Sequence, residues 1–335
     1  MQELLRVEDL HYSFKTFGGE VHALRGVSFH LDEGEILGIV GESGSGKSVT
    51  MQTIMGINPE PPGMLKSGKI FFKDQCLTDM TDKQKRQIRG LQIGMIFQDP
   101  MASLSPTIKV GKQMEELLRR KGLNKSECKA KACQMLKLVG ISDIDRRYHQ
   151  YPFEFSGGMM QRVMIAMVLS TDPDIVIADE PTTSLDVTIE AQIIGLMKKL
   201  KTELYKSIIL ISHNMGIITG LCDRVLVMYA GQIVETGTLD EIFYECRHPY
   251  TWGLLDSIPG AHIHRGQRLI PIEGTPPDLF APPAGCGFAS RCKYAMKICY
   301  NRQPPIYQKT ATHQCRCWLE HEMAPRVSRG DRENG

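Results

Sequence analysis

Residues 36–48 read ILGIVGESGSGKS, an apolar run followed by a glycine-rich loop that ends in a lysine and a serine. Ile36–Val40 is typical of a buried parallel strand. Gly41 to Ser48 fits G-x-x-x-x-G-K-[ST] at every fixed position, a pattern in which backbone N–H groups, a helix N-terminus and the lysine face nucleotide phosphates while the serine ligates Mg²⁺. The alternative is an ordinary Gly/Ser turn, against which the full match argues. The predicted phosphate-site residues are Gly41, Glu42, Ser43, Gly44, Ser45, Gly46, Lys47, Ser48 and Val49.

A second apolar run, in DIVIADEP, ends in two carboxylates. A phosphate loop of this kind requires an acidic residue at the end of a neighbouring buried strand, close to Mg²⁺. We expect Asp179 to take that place and Glu180 to polarise the attacking water as general base. A strand that simply ends in an acidic surface loop is the alternative, and the pairing with the upstream loop argues against it.

The segment FSGGMMQR, Phe155 to Arg162, places a serine and two glycines before a strongly helical run. Exposed N–H groups at a glycine-rich helix start can bind phosphate. Since the first loop already holds the chain's own γ-phosphate, a second cradle is expected to serve the nucleotide of another subunit. Taken alone, Ser-Gly-Gly at this place is more often a helix cap.

Together these segments resemble the ATP-binding subunits of ABC transporters, over about residues 4–255. FSGGMMQR resembles the signature motif of that family, and the resemblance adds further site residues. They are Gln98 as the glutamine that reaches Mg²⁺ and the attacking water, Asp186 in a loop that crosses the dimer interface, His213 at the γ-phosphate, and Phe14 stacked on adenine with Tyr12 as the alternative.

The resemblance implies a division of labour among these residues. Catalysis is assigned to Glu180, His213 and Gln98, and Mg²⁺ binding to Ser48, Gln98 and Asp179. Contact with the partner's nucleotide is assigned to Ser156, Gly157, Gly158 and Gln161. Departures from the family pattern occur at Phe155, Met160, Ser184 and Asn214. None removes a group that the chemistry needs, so an active ATPase is expected, with two ATPase domains closing head to tail on ATP and reopening after hydrolysis.

These motifs require an α/β fold of the P-loop NTPase type, with a RecA-like core. The core strands are expected at Ile36–Val40, Ile93–Phe97, Ile175–Asp179 and Ser207–Ile211. Alternating short strands before Ile36 predict an antiparallel β-subdomain. A helical subdomain at about 103–160 is expected to receive a membrane subunit, with the contact around Asp99–Pro106. The predicted domains are 1–255, the ATPase, and 256–335, a small irregular extension. No repeat of the motifs occurs in the sequence, so a second ATPase copy is expected from another chain.

Composition and charge restrict the partners and the cellular location that the protein can have. The 335 residues carry a net charge of +2, without a long basic run, so a nucleic-acid partner is not indicated. The N-terminal MQELLRVEDL is acidic where a signal peptide needs a basic start. The apolar stretch Val163 to Leu169 is far shorter than the roughly 18–20 residues that span a bilayer. We therefore expect a peripheral protein on the cytoplasmic face of the membrane, where clustered cysteines are metal ligands or redox thiols before they are disulfides.

Half of the ten cysteines lie in the last fifty residues. Three occur in CGFASRCKYAMKIC, at Cys286, Cys292 and Cys299, and two follow at Cys315 and Cys317. The tight C-x₂₋₄-C pairs of structural zinc sites are absent from this spacing. Wider spacing suits an iron–sulfur cluster, but by chemistry alone cluster, zinc and free thiols all stay open.

The tail also resembles the C-terminal extension of dipeptide/oligopeptide permease ATPase subunits, through HPYTWGLLDSIP, IEGTPPDL, GCGFASRC and HQCRCW in residues 248–318. This resemblance implies a [4Fe–4S] cluster in some members. Its ligands would be Cys286, Cys292, Cys299 and Cys317, with Cys315 as the substitute for the last and zinc as the alternative metal.

The sequence therefore predicts the ATP-hydrolysing subunit of an ABC importer for di- or oligopeptides. The expected partners are two membrane permease subunits, a second homologous ATPase that forms a heterodimer, and an extracellular solute-binding protein. A nickel or metallophore importer of the same architecture is the nearest alternative. A soluble ABC ATPase of DNA repair or translation is another, but the long coiled-coil insertion or tandem ATPase domains it needs are absent from the sequence.

Overall fold

The computed structural model describes residues 2–182, 187–257 and 271–329. Its strands are β1 (Glu3–Thr16), β2 (Gly19–Asp32), β3 (Ile36–Val40), β4 (Gly63–Phe72), β5 (Gln75–Cys76), β6 (Ile93–Ile96), β7 (Ile175–Asp179), β8 (Ser207–Ile211), β9 (Arg224–Tyr229), β10 (Gln232–Thr238), β11 (Tyr307–Gln308) and β12 (Gln314–Cys315).

The helices of the described residues follow the same chain order. They are α1 (Lys47–Met55), α2 (Asp82–Ile88), α3 (Pro100–Ser103), α4 (Val110–Arg120), α5 (Lys125–Leu138), α6 (Ile144–Arg147), α7 (Gly157–Ser170), α8 (Val187–Leu204), α9 (Met215–Leu221), α10 (Leu239–Tyr244), α11 (Pro249–Asp256) and α12 (Lys297–Asn301). None of the helices in the described part of the chain is long and apolar enough to cross a membrane.

The chain divides into two compact units. The first comprises Met1–Gln2, Asp32–Ile36 and Asp79–Ile211, and the second comprises Glu3–Leu31, Leu37–Thr78 and Ser212–Gly335. Neither unit is continuous in sequence, because strands that pair with each other are far apart along the chain.

In the first unit, β6, β7 and β8 form parallel pairs, with Ile93 opposite Ile175 and Ile175 opposite Ser207. Every residue of these strands is buried, which is why each one reads as a continuous apolar run. The predicted strands are confirmed, except that β6 ends at Ile96 rather than at Phe97. The carboxyl ends of parallel strands meet at one edge, so Gln98 and the two carboxylates at the end of β7, Asp179 and Glu180, emerge together.

Helices α3 to α7 follow β6 in the same unit, where the sequence predicts a helical subdomain. The helices α4, α5 and α7 pack against one another. Asn124 caps α5 by accepting hydrogen bonds from the backbone of Ser126 and Glu127, while the Glu127 carboxylate accepts one from the Asn124 N–H. This reciprocal capping box fixes where the helix starts.

The second unit holds the antiparallel sheet predicted near the N-terminus, in the order β2-β1-β4-β5. The sequence reading places only the segment before Ile36 in this sheet, but β4 and β5, from residues 63–76, complete it. Leu5 pairs with Phe72 and Phe14 with Gly63. The paired residues are between 49 (Phe14 and Gly63) and 67 (Leu5 and Phe72) positions apart, and local alternation alone does not reveal such a pairing.

In the same unit, β3 pairs in parallel with β9, and β9, β10, β12 and β11 continue as antiparallel neighbours. The C-terminal tail is largely irregular, as predicted, but it adds the two short strands β11 and β12 to this sheet. Its strand β12 extends the sheet edge, with Cys315 opposite Glu235. At this edge His313 Nε2 and Glu235 Oε1 lie 2.9 Å apart, both side chains almost fully buried.

Candidate active site

The phosphate loop, residues 41–48, connects β3 to α1. Gly41 lies so close to β9 that a Cβ there would meet the Met228 carbonyl oxygen at 2.2 Å. Gly44 has a φ of 77° and Gly46 one of 103°, values that favour glycine. A Cβ at Gly44 would meet nothing within 4 Å, so open space lies beside this part of the loop. The glycines thus give the loop its tight path and leave room on its open side.

Lys47 is the first residue of α1, and its side chain is buried. Its Nζ donates to the carbonyl oxygens of Gly41, at 2.8 Å, and Glu42, at 3.0 Å. The ammonium is therefore folded back over the loop, together with the N-terminal end of the helix. Positive charge and helix N–H groups converge at one place, as a polyphosphate site requires.

In the other unit, Asp179 is the last residue of β7, and its side chain is buried. Glu180 follows with a φ of 46°, a left-handed conformation that is costly for a non-glycine residue. Its N–H donates to the Ile211 carbonyl oxygen at 3.1 Å. The backbone turn at Glu180 is therefore held by the end of β8.

Gln98 follows β6 by two residues and is exposed. Its Nε2 donates to Oε2 of Glu180 at 3.0 Å. The structure thus brings together the predicted general base and the predicted glutamine sensor within one unit. Asp99, the next residue, caps α3 by accepting hydrogen bonds from Met101 and Ala102, which fixes the loop just after Gln98.

The two candidates for adenine stacking differ in accessibility. Tyr12 is 1% exposed and donates its hydroxyl hydrogen to Glu60 Oε1 at 3.1 Å. Phe14 is only half-buried and meets Tyr12 edge to face, with 5.3 Å between ring centroids. Tyr12 is therefore a core residue in contact with Phe14, whereas Phe14 is partly exposed.

The predicted signature residues lie at the start of α7. Ser156 is the N-cap, is exposed, and its Oγ accepts from the Met159 N–H at 3.4 Å. Nothing lies within 4 Å of a Cβ built on Gly157, whereas one on Gly158 would approach Ile189 at 3.1 Å. The side chain of Gln161, predicted with this group, is buried, unlike Ser156 and Gly157.

His213 is exposed, two residues after β8. The turn around it is fixed on both sides, because the Asn214 N–H donates to Ser212 Oγ at 3.0 Å and Asn214 Oδ1 accepts from Gly216 at 2.9 Å. The asparagine that departs from the family pattern thus caps α9. Asp186, predicted at a dimer interface, lies outside the described residues, as does Ser184.

Comparisons with known proteins match both the ATPase part and the tail of the chain. The profile of the ABC transporter family matches residues 24–183, and that of the oligopeptide/dipeptide transporter C-terminal region matches residues 234–299. The chain is 56% identical to the oligopeptide transport ATP-binding protein OppD of Bacillus subtilis, over 97% of this chain and 91% of the relative. It is 51% identical to the dipeptide transport ATP-binding protein DppD of the same organism, over 97% of each.

The chain belongs to the ABC transporter ATP-binding proteins. Solved structures agree with this membership. A dimeric ATP-binding cassette, MJ0796, in a post-hydrolysis state with ADP and Pi bound, is similar with a TM-score of 0.64 and 27% identity, covering 70% of this chain and 98% of the cassette. CbiO1 from Clostridium perfringens gives a TM-score of 0.61 and 30% identity, covering 73% of this chain and 92% of that one. The predicted family, fold class and ATPase activity are confirmed.

Two residues of the tail of this ABC protein, Tyr250 and Arg291, contact the phosphate loop, and the sequence does not predict either contact. Glu42, the second residue of the phosphate loop, donates its N–H to the Tyr250 hydroxyl oxygen at 2.8 Å. Its carboxylate pairs with the Arg291 guanidinium, at 2.6 Å for Nη1–Oε2 and 3.0 Å for Nη2–Oε1. The HPY segment and the cysteine-rich segment were recognised in the sequence, but no local pattern indicates that both end at the phosphate loop.

The cysteine module, residues 286–317, brings predicted ligands towards one another. All ten cysteines of the chain are free thiols. The Cys286 N–H donates to the Cys299 carbonyl oxygen at 2.7 Å, which closes the segment on itself. Burial raises the pKa of the Cys317 thiol, and proximity to the thiols of Cys286, Cys292 and Cys299 raises it further. Cys317 is therefore near the other three predicted ligands.

Cys315 has different neighbours. Burial raises the pKa of its thiol well above the usual value, and the charge of Glu235, its partner on β10, raises it further, as does Cys317. The two late cysteines therefore differ, because Cys286, Cys292 and Cys299 affect the pKa of Cys317 and Glu235 affects that of Cys315. Within the described residues, no three His, Cys, Asp or Glu side chains are arranged so that they could hold a metal ion. The metal in this module stays a prediction.

Proposed function

We propose that this chain is the ATP-hydrolysing subunit of an importer that takes up dipeptides or oligopeptides. The observation that carries the proposal is the joining of the ATPase to the oligopeptide/dipeptide transporter C-terminal region at residues 234–299. Relatives named as oligopeptide and dipeptide transport ATP-binding proteins match nearly the whole chain, tail included. We retain the division into an ATPase at 1–255, with its helical part at about 103–160, and an extension at 256–335 as part of this proposal.

ATP would be held by the phosphate loop, with Lys47 against the β- and γ-phosphates and Phe14 against adenine. The loop geometry supports this, since the lysine is already folded over the carbonyls of Gly41 and Glu42. Ser48, Gln98 and Asp179 would hold Mg²⁺, which supplies charge neutralisation for the transferring phosphoryl group.

Glu180 would accept the proton of the attacking water as general base. Its carboxylate is oriented by the Gln98 amide at 3.0 Å, and its backbone by the end of β8. A base whose position is fixed before the reaction contributes more than a mobile one, because no orientation entropy is lost in the transition state. His213, exposed just after β8, would contact the γ-phosphate.

The complete site would form between two ATPase subunits. Ser156 and Gly157 are exposed at a helix N-terminus, where they can meet a partner's nucleotide. Gly158 joins them in this role, while Gln161, being buried, would support the helix from within its own unit. Asp186 keeps its proposed place at the dimer interface.

The proposed partners are those of a binding-protein-dependent importer. They are two membrane permease subunits, which would contact the loop around Asp99–Pro106, a second homologous ATPase in a heterodimer, and an extracellular solute-binding protein. The chain would act at the cytoplasmic face of the membrane. A nickel importer is the competing assignment. Measuring whether cells take up peptide or nickel distinguishes it from the peptide importer.

The direct test is uptake in cells that lack this chain but retain the other subunits. Complementation with the wild-type chain is expected to restore accumulation of a labelled tripeptide. Complementation with Lys47→Ala is expected to fail, because the buried phosphate charge loses its counter-charge. Restored accumulation of ⁶³Ni²⁺ without any peptide uptake would overturn the peptide assignment while leaving the ATPase intact.

We also propose that Cys286, Cys292, Cys299 and Cys317 hold a [4Fe–4S] cluster. The four are buried or half-buried free thiols of one short module. The tight C-x₂₋₄-C pairs of structural zinc sites are absent from their spacing. A cluster spreads its thiolate ligands over a larger core, which suits wider spacing along the chain.

A further inference from the structure

The second residue of the phosphate loop, Glu42, is held from two sides by the C-terminal part of the chain. Its backbone N–H donates to the Tyr250 hydroxyl oxygen at 2.8 Å. Its carboxylate forms a two-point ion pair with Arg291. Both backbone and side chain of one loop residue are therefore fixed by residues more than two hundred positions away.

Arg291 is itself anchored with little freedom, and its side chain is only 4% exposed. Besides the two bonds to Glu42, Nη1 donates to the Tyr229 hydroxyl at 3.1 Å. Nε donates to the Glu273 carbonyl oxygen at 2.8 Å, and Nη2 to the Ile272 carbonyl oxygen at 3.1 Å. The hydrogen bonds to Glu42 raise the pKa of Arg291 further above its usual value. A planar guanidinium bound at five points cannot be matched by a lysine.

The turn that carries Arg291 belongs to the cysteine module. Residues 289–291 form one turn of 3₁₀-helix between Cys286 and Cys292, and the Ala289 N–H donates to the Cys286 carbonyl oxygen at 3.1 Å. Phe288 packs against Tyr250, with 5.4 Å between ring centroids. The guanidinium of Arg291 is thus placed by the same short turn that places two of the cysteines.

The contacts continue from Glu42 to the lysine of the phosphate loop. Lys47 Nζ donates to the carbonyl oxygen of Glu42 at 3.0 Å, so this residue connects Arg291 on one side with Lys47 on the other. The Glu42 carboxylate is a negative charge within a loop built for phosphates, where like charges repel. Arg291 neutralises that charge and keeps the carboxylate turned away.

We propose that Arg291 is a positioning residue of the ATP site: by holding Glu42, it sets the path and the charge of the phosphate loop, and so makes the affinity for ATP depend on the cysteine module. The proposal rests on the assignment of residues 41–48 as the phosphate site. Loss of Arg291 leaves Glu42 uncompensated beside the incoming phosphates. Substitution of Glu42 by glutamine removes the negative charge that Arg291 neutralises, so the arginine is then no longer needed for that purpose.

The test is the dissociation constant of a fluorescent ATP analogue, titrated onto the full chain without Mg²⁺ so that hydrolysis does not interfere. Arg291→Met is expected to weaken binding about tenfold, as the loss of a buried two-point charge pair would. The variant Arg291→Met/Glu42→Gln is expected to bind no more weakly than Arg291→Met alone, since the two residues act as one unit. Arg291→Lys is expected to fall between wild type and Arg291→Met.

The matched control is Arg329→Met, which removes another tail arginine, one paired with Asp256 at 2.9 Å. It should leave the dissociation constant within about twofold, while thermal unfolding reports whether either variant loses the fold. If Arg291→Met does not fold, Arg291→Lys carries the comparison. The proposal would be overturned if Arg291→Met bound the analogue as tightly as wild type, or if Arg291→Lys did so where it replaces that variant. It would also be overturned if the effects of the two substitutions multiplied in the double variant. Lys47→Ala tests the assignment of residues 41–48 as the phosphate site independently of Arg291. If that variant still bound the ATP analogue, the phosphate site itself would be refuted.

Discussion

Gln98 and Glu180 are joined by a hydrogen bond of 3.0 Å between the glutamine Nε2 and the glutamate Oε2. The two residues follow β6 and β7, neighbouring parallel strands whose carboxyl ends meet at one edge. Gln98 is exposed and lies directly before the loop that leads into the helical part of the same unit. A movement of that loop therefore changes the environment of the proposed base directly.

Glu180→Gln is expected to bind ATP normally, to associate with its partner ATPase in the presence of ATP, and to hydrolyse about 10²–10⁴ times more slowly, as the loss of a general base does. Single-turnover hydrolysis and light scattering with ATP measure the two properties. Glu116→Gln, an exposed glutamate on α4, is the matched control. A near-normal rate in Glu180→Gln would remove Glu180 as the base.

Gln98→Ala is expected to lower kcat by roughly 10–100-fold while the KM for ATP changes little, because a displaced base loses its orientation towards the water. The double variant Gln98→Ala/Glu180→Gln should be no slower than Glu180→Gln alone, since residues of one catalytic unit are not additive. Gln134→Ala, an exposed glutamine on α5, serves as control. Independent, multiplying effects would show that the hydrogen bond has no part in catalysis.

His248 predicts a loss of stability in mild acid. Complete burial lowers the pKa of its imidazole to about 3, and Nδ1 accepts a hydrogen bond from the Tyr250 N–H at 3.1 Å. The unfolded chain binds a proton near pH 6.5 and the folded chain does not, so folding stability falls as the pH drops below that value. This single group should lower the free energy of unfolding by about 2 kcal/mol between pH 7 and pH 5.

Urea unfolding of wild type, His248→Gln and the exposed-site control His30→Gln at pH 7, 6 and 5 tests this expectation. Between pH 7 and pH 5, the free energy of unfolding should fall by about 2 kcal/mol less in His248→Gln than in wild type. In His30→Gln it should fall by as much as in wild type. The same slope in all three proteins would mean that His248 takes up a proton in the folded state.

The cysteine module predicts which variants lose metal. Iron, acid-labile sulfide and zinc should be measured per chain after anaerobic purification. About four irons and four sulfides are expected in the wild type, as for one [4Fe–4S] cluster. Both are expected to disappear in Cys286→Ser and Cys317→Ser and to persist in Cys315→Ser, because Cys315 lies beside Glu235 instead.

Cys246→Ser is a further control, since Cys246 is a buried thiol outside the module. Stoichiometric zinc, lost in the same variants, would replace the cluster with a structural ion. A protein without any metal would refute the metal proposal and leave the ATPase site untouched.

Much of the site follows from local sequence. The loop from Gly41 to Ser48 and the strands β3, β7 and β8 were predicted within a residue, because a buried strand, a tight glycine turn and a helix start each depend on neighbours in the chain. The acidic pair at the end of β7, Asp179 and Glu180, is predictable for the same reason. ABC membership followed from the order of these local patterns.

The tertiary structure decided the contacts between distant segments. It buries Tyr12 and the Gln161 side chain and leaves Phe14 partly exposed. It places Cys315 opposite Glu235 on the neighbouring strand, whereas Cys317, two residues later, is near Cys286, Cys292 and Cys299.

The partners of Glu42 were invisible in the sequence. Tyr250 and Arg291 reach this loop residue only because the tail packs its aromatic residues beside β9 and adds a strand to β10. A sequence pattern reports periodicity and turn chemistry within a short window. Which faces pack together across more than two hundred residues is decided by shape, charge and burial in three dimensions.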